Sequence, residues 1–439
     1  MARQAIGNAA RNAFPALRAS RRTSRLTDTR PAAEPAPRPG FREFVALMAG
    51  LMALNALAID AMLPALPAIG EALGVASENH RQLVISFYVI GFGTTQLIYG
   101  PLADRYGRKP VLVGALLLYI LFAVASAAAA SFTLLLAARL AQGAAAAATR
   151  VLTVSIIRDR YQGAAMARLM SLVFLVFLIV PVLAPAFGQL TLMIAPWRWI
   201  FFGLAIFAAV MLLWSLIRLP ETLHPEYRRP LSLAAILGGV RDTLANRQSL
   251  GYTLAFALML GALMGYINSV QQIVFDVFGR PELIALIFAC VAGPMALTSW
   301  LNSRLVERIG TRRIAHMGII LFTLFSFVHL VTAEIGEELA LFVVMQSLIM
   351  ACFGLASANF GALAMEPMGH VAGTASSVQG TITTIAGAGI GVAIGQSFDG
   401  TVIPMVAGYF LLGATALVIL VVTERGRLFG QDPRESAKG

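Results

Sequence analysis

The chain has 439 residues, 58% of them hydrophobic and 13% charged, with a formal net charge of +11 at pH 7. A soluble protein must cover itself with polar surface, so this balance and a mean hydropathy of +0.77 exclude an ordinary soluble domain. Such basicity raises nucleic acid as a partner, but the loops that carry it speak against that.

Residues 1–42 are rich in Arg, Ala and Pro, and Arg3, Arg11, Arg18, Arg22 and Arg25 share a helical face before Pro31. An Arg-rich, acid-poor start also marks a mitochondrial transit peptide, but the plainer expectation is a disordered cytoplasmic tail. Twelve apolar runs follow, near residues 44–66, 82–103, 110–129, 132–157, 168–192, 197–218, 248–275, 283–303, 314–333, 339–361, 372–396 and 402–423. Each is long enough to cross a bilayer, and backbone facing lipid must be helical. The expected fold is therefore an all-α membrane protein. Its organisation reads as a six-helix bundle over 43–218, a linker over 219–247, a second bundle over 248–423 and a tail over 424–439.

Of 33 Lys and Arg, only Arg81, Arg198 and Arg280 fall in loops on one side, and Arg139 and Arg150 lie within the fourth run. The remaining 28 sit in the tails and the other loops, which predicts both termini on the cytoplasmic side.

In the first run, Asp60 lies among apolar residues. An unpaired carboxylate at a span's centre costs about 2.5–3.5 kcal/mol or more, so such a residue is expected to face a cavity and to handle a proton or substrate. Counting residues along the helices puts Asp60 and Arg139 at similar depths, making Arg139 its candidate partner, with Gln142 one turn on. Arg150 follows Arg139 by eleven positions and shares its face. It is read either as lining the cavity and attracting anions or as snorkelling to the interface.

Between the second and third runs stands Gly100-Pro101-Leu102-Ala103-Asp104-Arg105-Tyr106-Gly107-Arg108-Lys109. A degraded copy, Ser303 to Arg312 with Glu307 and Arg308 at its centre, recurs 203 positions later. A charged hairpin repeated in two halves of a polytopic chain predicts two pseudo-symmetric bundles. Gly107 suits a tight turn and Gly100 a close helix approach. In the fifth run Pro181, Pro185 and Gly188 are expected to bend and pack the helix. In the seventh, Tyr266, Asn268 and Gln271 are candidate substrate contacts, although amides also serve interhelical packing. Cys290 and Cys352 lack metal-ligand spacing, and no nucleotide-binding stretch or metal cluster is visible. No cofactor and no enzymatic activity are expected.

The loop string, with Gly100, Leu102, Asp104, Arg105, Gly107, Arg108 and Lys109 in place, closely resembles the signature of major facilitator superfamily transporters. Asp60-x-x-Leu63-Pro64-x-Leu66-Pro67, Arg139 with Gln142-Gly143, and Ala184-Pro185 resemble Bcr/CflA-type drug:proton antiporters of twelve spans. Ala184 replaces the first glycine of the antiporter motif in that span, so export direction rests on the resemblance. The resemblance implies a cytoplasmic latch: Asp104 against the start of the eleventh span, with Arg108 paired to Asp159. It implies a bacterial inner-membrane exporter of hydrophobic drugs that exchanges them for protons, acting as a monomer. A dedicated metabolite exporter or an uptake symporter is the alternative.

Overall fold

The computed structural model describes residues 39–161, 163–223, 226 and 233–429. Every apolar run becomes a helix. The first bundle contains α1 (Phe41–Asp60), a short α2 (Leu66–Ala72), α3 (Leu83–Tyr106), α4 (Arg108–Ala127), α5 (Phe132–Arg160), α6 (Gly163–Ile194) and α7 (Arg198–Arg218). After α8 (Leu233–Ala245) in the linker, the second contains α9 (Arg247–Gln272), α10 (Ile284–Ile309), α11 (Thr311–Ile335), α12 (Leu339–Met365), α13 (Ala372–Gln396) and α14 (Ile403–Thr423). Among the described residues, eleven helices are long and apolar enough to cross a membrane, with α1 and α2 counted as one. The predicted fifth span falls on α6, which is 32 residues long and adds the apolar stretch Leu183–Ile194.

Within the first bundle α5 packs on α3 and α4, while α1 packs on α6 and α7; in the second, α9 packs on α13 and α14, and α12 on α10 and α11. The bundles meet chiefly where α3 lies along α13 and α6 along α10. The tightest approach is between α3 and α5. A Cβ on Gly143 would collide with the Tyr88 carbonyl, and one on Gly91 with the Leu140 carbonyl. Small residues let the backbones touch, the usual way to gain packing where lipid offers no hydrophobic drive.

The repeat is visible at the helix joints. Gly107 (φ +102°) links α3 to α4 and Gly310 (φ +92°) links α10 to α11, both in conformations only glycine adopts freely. We call the side bearing these joints the basic face.

The first span is broken. Pro64 has no N–H to bond the Asp60 carbonyl four residues back, and Pro67 likewise deserts Leu63. The chain therefore leaves α1 at Asp60 and passes through a short turn, Leu63–Ala65, before α2. Gly188 of α6 fits into this break, where a Cβ would strike the Ala61 carbonyl and the Pro64 ring. Although α6 does pack on α10, Gly188 itself serves the first span. Pro185 is buried, and the Pro181 side chain lies outside the described residues.

Gly143→Ala is expected to force α3 from α5 and cost about 1–3 kcal/mol. Gly114→Ala on the open face of α4, where an added Cβ meets nothing within 4 Å, should be neutral or slightly stabilising. Melting temperatures of the two purified variants in one detergent test this.

Candidate functional site

Arg139 is fully buried on α5, and its guanidinium is satisfied without any carboxylate. Nε donates to the Val84 carbonyl of α3 (3.0 Å), Nη2 to the Ala58 carbonyl of α1 (2.8 Å) and Nη1 to Gln142 Oε1 (2.8 Å). The Tyr88 ring lies beneath it at 4.4 Å, within cation–π range. Beside this set, the Tyr88 hydroxyl donates to Asn55 Oδ1 (3.1 Å) and Asn55 Nδ2 to Thr149 Oγ1 (2.9 Å), so α1, α3 and α5 are tied twice.

The expected ion pair between Asp60 and Arg139 is thus absent. Equal depth was a correct inference, since the arginine reaches the carbonyl two residues before Asp60. The broken end of α1 leaves the carboxylate elsewhere. Asp60 is 3% exposed, and its Oδ1 has no hydrogen-bond partner. The turn that follows it, Leu63–Ala65, packs against α9 of the second bundle, which carries Tyr266, whose hydroxyl is likewise buried and unpartnered.

Asn268 departs from its expected place in the cavity. It accepts from Ser86 Oγ of α3 (3.4 Å) as part of a seal between bundles at the end opposite the basic face. There Gln82 Nε2 donates to Gln272 Oε1, Gln272 Nε2 to Asn79 Oδ1 (2.8 Å), and Asn79 Nδ2 to the Gln396 and Phe398 carbonyls (3.1 and 2.9 Å). Gln396 Nε2 returns a bond to the Asn79 carbonyl (2.6 Å). Gln271 is buried next to this set. Residue type marks these amides as hydrogen-bonding, but their partners are 182 to 319 positions away in the chain.

Toward the basic face the remaining facing pair, α5 and α12, makes at most marginal contact. On α5, Arg150, Val154 and Arg158 form a stripe one turn apart that no helix covers fully. Arg150 is exposed, on the face of α5 that the buried Arg139 shares.

The charge relay forms as expected. Arg108 is buried, with Nη1 2.6 Å from Asp104 and Nε 3.1 Å from Asp159. Asp104 pairs with Arg108, its side chain 42% exposed; on the same helix, a Cβ on Gly100 would meet the Ser377 hydroxyl of α13 at 3.9 Å. Arg105 is exposed over the ring of Tyr106. The residue that sequence reasoning missed is Glu221, just after α7. Its carboxylate accepts the backbone N–H groups of Arg108 (2.9 Å) and Lys109 (3.1 Å), capping α4 and holding Gly107. Its repeat counterpart, 203 positions on, is Glu424, which accepts from Arg312 (3.1 Å), itself bound to Glu366 (3.4 Å). The repeat offset was the signal that would have found both. Arg308 is exposed, and the Glu307 side chain lies outside the described residues. A cavity of about 430 Å³ beside Arg312 and Glu424 lies at the basic end of the second bundle and contains neither Asp60 nor Arg150.

Residues 48–392 match the family model described as Major Facilitator Superfamily. The chain is 30% identical over 334 residues to the Multidrug resistance protein MdtL of Escherichia fergusonii, covering 75% of this chain and 82% of that one. It is 27% identical over 382 residues to the Bicyclomycin resistance protein homolog of Haemophilus influenzae (85% and 94% covered). A similar identity, 29% over 371 residues, relates it to the uncharacterized MFS-type transporter YdgK of Bacillus subtilis (84% and 92% covered). Among solved structures, the human organic anion transporter MFSD10 superposes with a TM-score of 0.65 at 20% identity, over 88% of this chain and 99% of that one.

Arg139→Lys should lower stability by about 1.5–3 kcal/mol, because an ammonium cannot reach all three acceptors at once. Asp60→Asn should leave the melting temperature unchanged or raise it, since no native bond is lost. A second test is Gln82→Cys/Gln272→Cys with Cys290 and Cys352 replaced by Ser. Oxidation should cross-link the bundles in high yield, read as a mobility change after cleavage of the linker.

Proposed function

We infer that this chain, which belongs to the Major Facilitator Superfamily and moves small molecules across a membrane by secondary active transport, is a drug exporter driven by proton exchange. We assign it to the twelve-span Bcr/CflA-type branch, in a bacterial inner membrane with the basic face toward the cytoplasm. The resistance proteins among its relatives support a drug-like cargo.

The observation that carries the mechanism is the unpartnered, buried Asp60 carboxyl at the broken end of α1, where the chain turns against α9 of the second bundle. A buried carboxyl without a cationic partner is far cheaper to hold neutral, so a proton is its natural companion in this state. Loss of that proton leaves an anion that needs a new partner: water, the Tyr266 hydroxyl as donor, or a group on the substrate. Either change alters how the two bundles fit, which is how a proton and a cargo come to share one conformational cycle. With the amide seal closed and the α5–α12 side loose, the structure corresponds to the state open to the cytoplasm. In the opposite state the Asp104 region would close on α13. Arg139 acts here as scaffold, fixing the depth and direction of α1 up to Ala58.

Energised everted vesicles, followed with a pH-sensitive dye, test this. Adding members of a drug panel that includes bicyclomycin should release protons from wild-type vesicles, and Asp60→Asn should abolish release while still inserting normally. Absence of release from wild type with every compound, or equal release from the variant, would sink proton exchange at Asp60.

A further inference from the structure

We propose that the central cavity selects for cargo bearing an anionic group, a carboxylate, sulfonate or phosphate, and that Arg150 is the residue that binds it. The proposal deepens the transport reading, because it takes the cavity to be the transport path.

The argument starts from an arginine that has nothing to do for the fold. Arg139 on the same helix is consumed by three acceptors, and Arg108 by two carboxylates. Arg150, by contrast, has no hydrogen bond, ion pair or aromatic face among the described residues. A guanidinium held at membrane depth costs several kcal/mol unless something rewards it. Here the reward is not structural.

Position supplies the rest. Arg150 is eleven residues from Arg139 on one helix, so it stands ~16 Å nearer the basic face. It therefore lies below Asp60 on the route a molecule takes from the open side. Arg158, two turns on, continues the uncovered stripe to the mouth and gives an approaching anion a graded attraction. A guanidinium can meet a carboxylate or phosphate with two parallel hydrogen bonds, geometry a lysine does not reproduce. The cavity then has two stations: an anion station at Arg150, and a proton station at Asp60. An amphiphilic anion docked by its head at Arg150 would extend its apolar body toward Asp60 and Tyr266.

The test uses two dyes with one xanthene core and opposite charge, anionic fluorescein and cationic rhodamine 123. Binding to the purified full chain in phosphatidylcholine nanodiscs is read by fluorescence anisotropy. Fluorescein should bind about tenfold more tightly than rhodamine 123, the size expected for one charge-assisted contact. Arg150→Gln should erase that preference without lowering the melting temperature, and Arg150→Lys should keep part of it. Equal binding of both dyes by wild type, or a fluorescein preference that survives Arg150→Gln, would overturn the proposal. So would loss of fluorescein binding when phosphatidylglycerol replaces part of the bilayer, since the site would then belong to a lipid headgroup. Binding is measured without transport, so an Arg150-dependent preference in a protein that moves no protons would refute the exporter reading and leave the anion site standing.

Discussion

The structure depends on one buried cation that has no counter-ion. Arg139 points its planar fork at backbone carbonyls of two other helices and at an amide one turn up its own, and rests on the face of Tyr88. The Val84 carbonyl lies within α3, so there the guanidinium uses a second lone pair; the Ala58 carbonyl lies in the last turn of α1, where the helix supplies no backbone donor and Arg139 takes its place. The arrangement fixes α1, α3 and α5 in depth and rotation together. The glycine contact between α3 and α5 makes it possible, because it brings the Val84 carbonyl within reach. With the fork filled, Asp60 has no arginine to neutralise it, and its chemistry is left open for a proton.

A second constraint is the way each bundle is closed at the basic face. A glycine in the left half of conformational space turns one helix into the next, and a glutamate from beyond the bundle's last helix steadies the helix that follows. In the first bundle this glutamate is Glu221 and it grips backbone N–H groups. In the second it is Glu424 and it grips the Arg312 side chain instead. The position is retained across the repeat while the bonding has drifted. Pseudo-symmetry of the fold therefore survives a change in the atoms that enforce it.

Much of this was legible in the chain itself. Apolar run length located every described helix except the short α2 and α8 of the linker, because lipid leaves the backbone no alternative to internal hydrogen bonding. The Arg108–Asp159 contact and the break after Asp60 also follow from residue types at given spacings. What could not be read shares a physical cause. The acceptors of Arg139 are backbone carbonyls, and every residue has one, so Val84 and Ala58 carry no mark of their role. The same limit applies to Asn268 and Gln272: an amide announces a need for partners but not which helix supplies them. Arg150 was ambiguous for the opposite reason. Its sequence neighbours are apolar whether it faces a cavity or an interface, so residue type alone does not separate the two.

The seal between Asn79, Gln82, Ser86, Asn268, Gln272 and Gln396 is made wholly of uncharged groups. Its own bonds carry no formal charge, so voltage and external acidity reach this clasp only through the charged residues set among its members in the chain, Glu78, Arg81 and Asp276, unlike a gate of ion pairs. The strength of the clasp itself is set by a few amide bonds. Under the proposed proton exchange, sensitivity to the gradient would enter from within, through Asp60.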